Sequence, residues 1–150
     1  MYDALDAQRR ARGLSWAQAA REVGVSPSTL TGLRARRAVE GDGVLQMLLW
    51  LDRTPESFAG ACTDGTAARL QRVGPDEVLR FDAASIHAAL DEQRTARSLT
   101  WAQLARDIGG VSASMLSHLA EGGRVSIPPI IRVIGWLGRP VASFTRASKV

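Results

Sequence analysis

The side chains of this sequence whose types and spacing suit a chemical role carry hydroxyl, amide and guanidinium groups. In Ser15-Trp16-Ala17-Gln18, a hydroxyl and an amide are three residues apart. At that spacing the two side chains bond reciprocally to backbone N–H groups that a helix start leaves unpaired. Thr100-Trp101-Ala102-Gln103 has the same spacing, and Arg34, Arg36 and Arg37 form a compact run of positive charge. Such groups bind anions or form a solvated surface.

Catalytic chemistry has little support in the sequence. The histidines are His87 and His118, and Cys62 is the only cysteine. These residues make no pair of nucleophile and base and no metal-ligand cluster, and the sequence has no glycine loop of the phosphate-binding type. We therefore expect that the protein is not an enzyme and that it needs no metal, cofactor or small-molecule ligand.

Composition sets broad limits on the protein class. A chain of 150 residues, 45% of them hydrophobic, can form one domain or two small ones. The net charge of +4 permits a nucleic-acid partner without requiring one. The most apolar run, 127–137, is shorter than the ~20 residues that cross a bilayer, and the N-terminus lacks the apolar stretch of a signal peptide. We expect a cytoplasmic protein with no membrane partner.

The sequence contains two copies of one unit. The segment LDAQRRARGLSWAQAAREVGVSPSTLTGL, 5–33, returns as LDEQRTARSLTWAQLARDIGGVSASMLSHL, 90–119, with Gly110 inserted in the second copy. Further matches follow: Val39 with Val125, Trp50 with Trp136, Leu51 with Leu137, and Phe58 with Phe144. We therefore predict a first domain over 1–60, a linker over 61–82, a second domain over 83–146 and a tail over 147–150.

Each unit is expected to be all-α, with four to five short helices and no strand. In the first copy, helix 1 spans about Asp3 to Arg12 and ends at Gly13, which is suited to the left-handed conformation that closes a helix. Ser98 takes that place in the second copy, so we expect a weaker cap there. The two Ser/Thr-x-x-Gln motifs start helix 2, and Gly24 ends it in the first copy.

The third helix of each unit is expected to lie on the surface. Ser26 caps it and Pro27 takes its first position, where proline loses no hydrogen bond. The small residues Ala20 and Ala105 let helices 2 and 3 pack closely. Leu30, Leu33, Leu116 and Leu119 face inward. The outer faces then carry Ser28, Thr29, Thr31 and Gly32 in the first copy, and Ser114, Met115, Ser117 and His118 in the second.

The fourth helix carries more apolar surface than one small domain needs. Leu45, Leu49 and Ile131 add to the regular inward stripe. We expect this surface either to dock the two domains or to build a homodimer. Trp50 and Trp136 are expected in the core or at a domain interface.

The small alanine of helix 2, the turn glycine, the capping serine and the leucines that follow form one pattern in both copies. Through this pattern, GLSWAQAAREVGVSPSTLTGL and SLTWAQLARDIGGVSASMLSHL resemble the lambda repressor/Cro-like helix-turn-helix proteins, also called the XRE family. The resemblance spans about 120 of the 150 residues. It implies two tandem domains of five helices, each with its third helix in the major groove of DNA.

The resemblance also implies which residues contact DNA. Phosphate contacts are expected at the start of helix 2, from Ser15, Trp16, Gln18, Thr100, Trp101 and Gln103. Base contacts are expected on the outer face of helix 3, from Pro27, Ser28, Thr29, Thr31, Gly32, Ala113, Ser114, Met115, Ser117 and His118. Further phosphate contacts are expected after helix 3, from Arg34, Arg36, Arg37 and Arg124. Because these faces lack bidentate base-contacting side chains, we expect hydroxyl and apolar contacts together with recognition of DNA shape.

Three residues or pairs depart from the family pattern. Trp16 and Trp101 stand where the family usually has a glutamine, and packing is the alternative role for both. A glutamate that pairs with the helix 1 arginine, here Arg9 or Arg94, is absent from the end of helix 3. Gly110 lengthens one turn, which is expected to tilt the third helix of the second copy.

The sequence therefore predicts a transcription regulator of repressor type that binds double-stranded DNA selectively, with two domains acting as a pseudo-dimer in one chain. The alternative is a protein-interaction or antitoxin-like adaptor in which one or both units bind a protein partner. Weak polar character on the third helix and the extra Gly110 favour this alternative.

Overall fold

The protein is predominantly helical, as the sequence predicts. The computed structural model describes residues 1–35, 39–59, 68–127 and 129–150. The first copy contains α1 (Tyr2–Ala11), α2 (Trp16–Val23), α3 (Pro27–Arg34), β1 (Val39–Glu40), α4 (Gly41–Leu51) and α5 (Glu56–Ala59). After β2 (Glu77–Phe81), the second copy contains α6 (Ala83–Ala96), α7 (Trp101–Ile108), α8 (Ala113–His118), β3 (Ser126–Ile127), α9 (Pro129–Leu137) and β4 (Thr145–Lys149). Short 3-10 helices span Leu119–Glu121 and Val141–Phe144.

Local side-chain and backbone signals set the helix ends where the sequence places them. The predicted caps accept backbone N–H bonds at the starts of α2, α3, α7 and α8, and they are Ser15, Ser26, Thr100 and Ser112. Gly24 closes α2 in the left-handed conformation, at φ +82°. After helix 1, Gly13 has φ +67° and its counterpart Ser98 has φ +52°. A side chain makes that conformation costlier, so the prediction of a weaker second cap has a physical basis.

The expectation of no strands is wrong. β2 and β4 pair antiparallel, with Glu77 opposite Lys149 and Phe81 opposite Thr145. In β2 the alternate residues Leu79 and Phe81 are buried, which is the period-two pattern of a strand with one face on a core. The segment predicted as a linker thus contributes a strand, and its partner spans the end of the predicted second domain and the predicted tail. Neither strand was evident because each has only five residues and their pairing is distant in sequence.

The outer edge of β2 is held by α4 of the first copy. The backbone N–H of Phe81 donates to Asp42 Oδ1 at 2.9 Å, and Gln46 Nε2 donates to the carbonyl of Leu79, also at 2.9 Å. Asp42 and Gln46 are four residues apart and therefore lie on one face of the helix. These bonds fix β2 to the first copy, although the strand pairs with the last strand of the second.

α4 is shared by two clusters of buried side chains. Met47 and Leu51 pack with core residues of the first copy, among them Leu5 and Leu30. Val44, Leu45 and Leu48 belong to a larger cluster with residues of β2 and of the second copy. Leu45 is fully buried, so this part of the extra apolar surface predicted on helix 4 docks the two copies, whereas Leu49 and Ile131 are half-buried.

A close backbone approach joins the two copies beside the start of α4. β1 and β3 pair antiparallel, with Val39 opposite Ile127 and Glu40 opposite Ser126. A Cβ atom at Gly41 would lie 2.8 Å from the ring of Phe81 and 3.0 Å from Val125. A Cβ contact of 2.8 Å is shorter than real side chains make, so any residue other than glycine would force the Phe81 ring or the backbone to shift.

Candidate nucleic-acid interface

The helix starts at Ser15 and Thr100 have the same hydrogen-bonded geometry in both copies. Gln18 N donates to Ser15 Oγ at 3.2 Å, and Ser15 N donates to Gln18 Oε1 at 2.8 Å. Thr100 and Gln103 make the equivalent bonds with the same lengths. All four residues are exposed, as expected for residues that contact a partner.

These reciprocal bonds consume acceptor atoms only. Ser15 Oγ and Gln18 Oε1 both accept, whereas the hydroxyl hydrogen and the amide NH₂ group are donors. The donors are what a phosphate oxygen requires, and the bonds hold them at the exposed first turn of a helix, where the backbone dipole also favours an anion. The arrangement can therefore hold a phosphate without disturbing the helix cap.

Trp16 and Trp101 pack against the first helix of their own copies. The Trp16 ring stacks on Tyr2 with centroids 5.2 Å apart, and the Arg9 guanidinium lies 4.8 Å from its centroid. Trp101 stacks on His87 at 5.0 Å, with Arg94 at 5.1 Å. His87 is the counterpart of Tyr2, so in each copy an aromatic ring and an arginine of helix 1 pack on the tryptophan of helix 2. Both tryptophans are half-buried, which favours the packing role.

The arginine of helix 1 pairs with a carboxylate of its own helix in both copies. This pair stands in place of the expected pairing with a glutamate at the end of helix 3. Arg9 Nη2 lies 2.6 Å from Asp6 Oδ1, and Arg9 Nη1 donates to the carbonyl of Leu14 at 2.7 Å. In the second copy, Arg94 pairs with Asp91, also at 2.6 Å. The hydrogen bond from Arg9 is the main reason that the pKa of Asp6 lies below its ordinary value. Sequence reasoning missed this pair, although Asp and Arg three residues apart was an available signal.

Trp50 and Trp136 form a second set of matched contacts at the far end of helix 2. Trp50 Nε1 donates to Glu22 at 3.0 Å, and the Arg12 guanidinium lies 4.9 Å from its ring centroid. Trp136 makes equivalent contacts with Asp107, at 3.1 Å, and with Arg97, at 4.8 Å. The two tryptophans thus brace helix 2 against helix 4, between core and surface.

The outer face of α3 is open to solvent, but its hydroxyl groups are locally engaged. Pro27, Ser28 and Thr31 are exposed, whereas Thr29 and Gly32 are half-buried. Ser26 Oγ lies 2.7 Å from Thr29 Oγ1 and 2.9 Å from Ser28 Oγ. The Thr31 hydroxyl donates to backbone carbonyls one turn back, at 3.2 and 3.3 Å. A base acceptor that bonded Thr31 would have to displace these bonds, whereas a base donor could bond the lone pairs of its oxygen.

The outer face of α8 is also open but shorter. Ser114, Ser117 and His118 are exposed, and Ala113 and Met115 are half-buried. The Ser117 hydroxyl donates to the carbonyl of Ala113 at 3.0 Å. His118 Nδ1 lies 3.2 Å from Glu121, a carboxylate that would oppose a nearby phosphate.

The arginines predicted to contact phosphate have different surroundings. Arg34 is exposed at the end of α3, whereas Arg36 and Arg37 lie outside the described residues. Arg124 Nε lies 3.2 Å from Glu40 Oε1, so it forms an ion pair between the two copies. With 78% of its side chain exposed, Arg124 can still reach solvent, but its charge is partly neutralised.

The inserted Gly110 changes the turn that precedes α8. Gly109 and Gly110 both have positive φ, at +78° and +72°, whereas Gly24 makes the first turn alone. A Cβ atom at Gly110 would collide with the guanidinium of Arg132. Gly110 therefore provides both a left-handed conformation and room for an arginine of α9 (Pro129–Leu137).

A groove of about 480 Å³ runs beside α3. Its polar lining includes Ser28 and Thr29 from α3, Arg80 from β2, and Glu40 and Arg124 at the junction of the copies. The charges are mixed. The groove thus joins the outer face of α3 to the second copy without forming a strongly basic cavity.

The described residues hold no group of three or more His, Cys, Asp or Glu side chains that could bind a metal ion. Within the same ranges, no helix is both long and apolar enough to cross a membrane. Comparison with known proteins gives no match, either to a family model, to a curated protein or to a solved structure. The geometry of the chain itself is therefore the basis for a function.

Proposed function

We propose that this protein is a cytoplasmic transcription regulator that binds double-stranded DNA selectively and acts as a repressor. Its α2–α3 and α7–α8 pairs are the helix-turn-helix motifs of two lambda repressor/Cro-like (XRE) domains. The two domains act as a pseudo-dimer in one chain, with α3 and α8 as the helices that enter the major groove.

One observation carries the proposal. Both α3 and α8 follow a tight turn, bury a leucine completely at Leu30 and Leu116, and leave the opposite face open to solvent. A helix held from beneath in this way, with its outer face free of core contacts, is what the major groove accepts. Equivalent Trp, Arg and Asp contacts hold helix 2 of both motifs against helix 1, which supports the same role for both copies.

Phosphate binding accounts for affinity in this proposal. The hydroxyl and amide donors of Ser15, Gln18, Thr100 and Gln103 are expected to bind backbone phosphates together with Arg34. Sequence selection is expected from the exposed hydroxyls and from apolar contacts of Pro27 and Met115 with thymine methyl groups. Because several hydroxyls are already bonded locally, DNA shape is expected to contribute a substantial share.

The test is electrophoretic mobility of genomic DNA fragments with the purified chain at two salt concentrations, followed by sequencing of the bound fragments. The informative variant is Gln18→Glu combined with Gln103→Glu. Glutamate can still accept the capping bond, but it loses the amide donors and adds a negative charge at each predicted phosphate. We expect at least a roughly tenfold loss of DNA affinity, since charge-assisted contacts of this kind are strong.

Gln71→Glu is the matched control, because Gln71 is exposed and lies outside both motifs. This variant is expected to bind DNA nearly as well as the parent chain. Equal affinity of the double variant and the parent, with unchanged circular dichroism, would rule out the proposed interface.

A second candidate function is a protein-binding adaptor of antitoxin type. It is favoured by an apolar groove of about 440 Å³ that both copies line, with Leu33, Val44, Phe58, Ile127 and Ile131 among its residues. The locally bonded hydroxyls of α3 and α8 agree with it. The absence of any DNA complex at low salt, with stable co-purification of one protein, would favour this candidate.

A further inference from the structure

The β1–β3 pair has the symmetry of a twofold axis. After Gly110, each residue of the first copy matches the one 86 positions later, so Glu40 corresponds to Ser126. These two equivalent residues lie opposite each other in the antiparallel pair. Val39 lies opposite Ile127, the counterpart of Gly41, and Gly41 N donates at 2.7 Å to the carbonyl of Val125, the counterpart of Val39. The operation that exchanges the copies therefore maps this pairing onto itself.

The two outer helices lead into the paired strands. β1 begins five residues after the end of α3, and β3 begins five residues after the 3-10 turn that extends α8. α3 and α8, counted with its 3-10 extension, lead into β1 and β3 at equal distances along the chain, so we take the same axis to relate the two outer helices. A head-to-tail arrangement of two copies would not place equivalent residues opposite each other.

We propose, on the basis of the function proposed above, that one chain binds one DNA site and that this site is an inverted repeat centred at the β1–β3 pair. Proteins with twofold symmetry bind sites with the same symmetry, with half-sites about 34 Å or a multiple apart. The chain thus does alone what a homodimer does, and α3 and α8 lie on separate half-sites.

The two copies differ in the charge that follows the outer helix in sequence. The counterparts of Arg34, Arg36 and Arg37 are Ala120, Gly122 and Gly123. The charged residues that follow α8 closely in sequence are Glu121 and Arg124, and Arg124 is paired with Glu40. The half-site under α3 therefore receives more positive charge and is expected to be the more strongly protected one in a footprint.

The orientation can be tested with a DNA-cleaving iron chelate attached to a single cysteine. Ala17 and Ala102 are equivalent exposed residues of α2 and α7, so each is replaced in turn, Ala17→Cys or Ala102→Cys, in a Cys62→Ser chain. The probe is the duplex selected from random DNA by the unmodified chain. We expect the two positions to cleave opposite ends of the site, with the same pattern on opposite strands. Matching patterns displaced along the same strand, or cleavage of both ends from one position, would overturn the inference.

A disulfide tests the axis without DNA. Gly41 and Val125 form a hydrogen-bonded pair, so Glu40 and Ser126 occupy the adjacent non-hydrogen-bonded position, where Cα atoms lie about 4.5 Å apart. That separation permits a disulfide. In a Cys62→Ser chain, Glu40→Cys with Ser126→Cys is expected to oxidise within one chain and to sediment as a monomer.

DNA binding by this variant in its reduced and oxidised states distinguishes the proposed function from the inverted-repeat arrangement. We expect DNA affinity in the two states to agree within about threefold. Failure to form the intrachain bond contradicts the axis, and loss of binding in the oxidised state alone overturns the inverted-repeat arrangement while the function stands. If neither state nor the parent chain binds duplex DNA, the proposed function fails and the inference fails with it.

Discussion

The two outer helices, α3 and α8, are supported alike and present different surfaces. In each copy a tryptophan of helix 2 stacks on helix 1, which carries an Asp–Arg pair of 2.6 Å, and helix 2 begins with a capping box of matching bond lengths. In front, α3 has eight residues and ends at Arg34, whereas α8 has six and leads to Glu121. The contacts that position the helices are thus the same in the two copies, whereas the exposed faces of α3 and α8 differ. This pattern is expected when one fold makes two unequal contacts with a ligand.

The fourth helices differ as well. α4 is enclosed by β2 and by residues of the second copy, and it starts with Gly41 because Phe81 and Val125 leave no room for a side chain. The counterpart of Gly41 is Ile127, which is half-buried. The twofold relation of the paired strands β1 and β3 therefore does not extend to the β2–β4 sheet, which covers α4 but not its counterpart.

Substitution of Gly41 by a residue with a side chain is expected to have the largest effect, which is on the free energy of unfolding. Gly41→Ala should lower the free energy of unfolding by about 1–3 kcal/mol, because the added methyl group overpacks a closed site. Urea denaturation followed by circular dichroism measures it.

Gly43→Ala is the control in the same helix. A Cβ atom there has ordinary contacts, at 3.7 Å from Thr29 and 3.8 Å from Val25. Alanine is the better helix former, so this change should stabilise the protein by roughly 0.5–1 kcal/mol. If both variants were equally stable, the close approach of Phe81 would not be a constraint in solution.

Exchange of charge between the two outer helices should have an intermediate effect. Arg34→Ala is expected to weaken DNA binding several-fold for all sequences and to reduce the salt slope by about 0.9, the loss of one phosphate contact. Ala120→Arg, at the matching place in the second copy, should restore the slope. Fluorescence anisotropy at three salt concentrations gives both quantities for each single variant and for the pair.

The double variant separates local contact from net charge, which it leaves unchanged. A protection pattern that moves toward the half-site under α8 would support unequal contacts. An Arg34→Ala variant with the parent's salt slope would contradict a phosphate contact by Arg34.

The smallest effect concerns the Asp6–Arg9 pair and its counterpart Asp91–Arg94. Asp6→Asn should destabilise the first copy at neutral pH, since Arg9 lowers the pKa of Asp6 from 3.8. A lowered folded-state pKa stabilises the protein above the unfolded value and ceases to do so as the pH falls through the folded value. The difference between variant and parent in thermal unfolding should therefore shrink below pH 3.8. A constant difference from pH 7 to pH 3 would assign the effect to packing, and Asp3→Asn, exposed on the same helix, serves as control.

Helix positions and caps were predictable because their signals are local. Ser15, Gly24 and Ser26 each specify a helix end through bonds within four residues, and the inward leucines follow helical periodicity. The residues on the exposed face of the third helix could be assigned for the same reason. The burial of Leu45 was foreseen only as one of two outcomes, docking or dimerisation.

The pairings between distant segments could not be predicted. β2 and β4 are short, and nothing in either sequence indicates a partner about 70 residues away. The Arg124–Glu40 ion pair likewise depends on how the copies meet. Within the candidate interface, the positions of the residues could be predicted from the repeat. The hydrogen bonds of their hydroxyl groups depend on side-chain conformation, which the sequence does not specify.

Glu40 and Ser126 show why the two halves of this chain are not interchangeable parts. In an ordinary homodimer, a residue on the twofold axis lies opposite the same residue of the other subunit. A chain assembled from two first halves would set one glutamate directly against another, an arrangement that repels. Here a serine occupies the second place and Arg124 supplies the counter-charge, so joining the halves covalently permits a junction that identical subunits could not form.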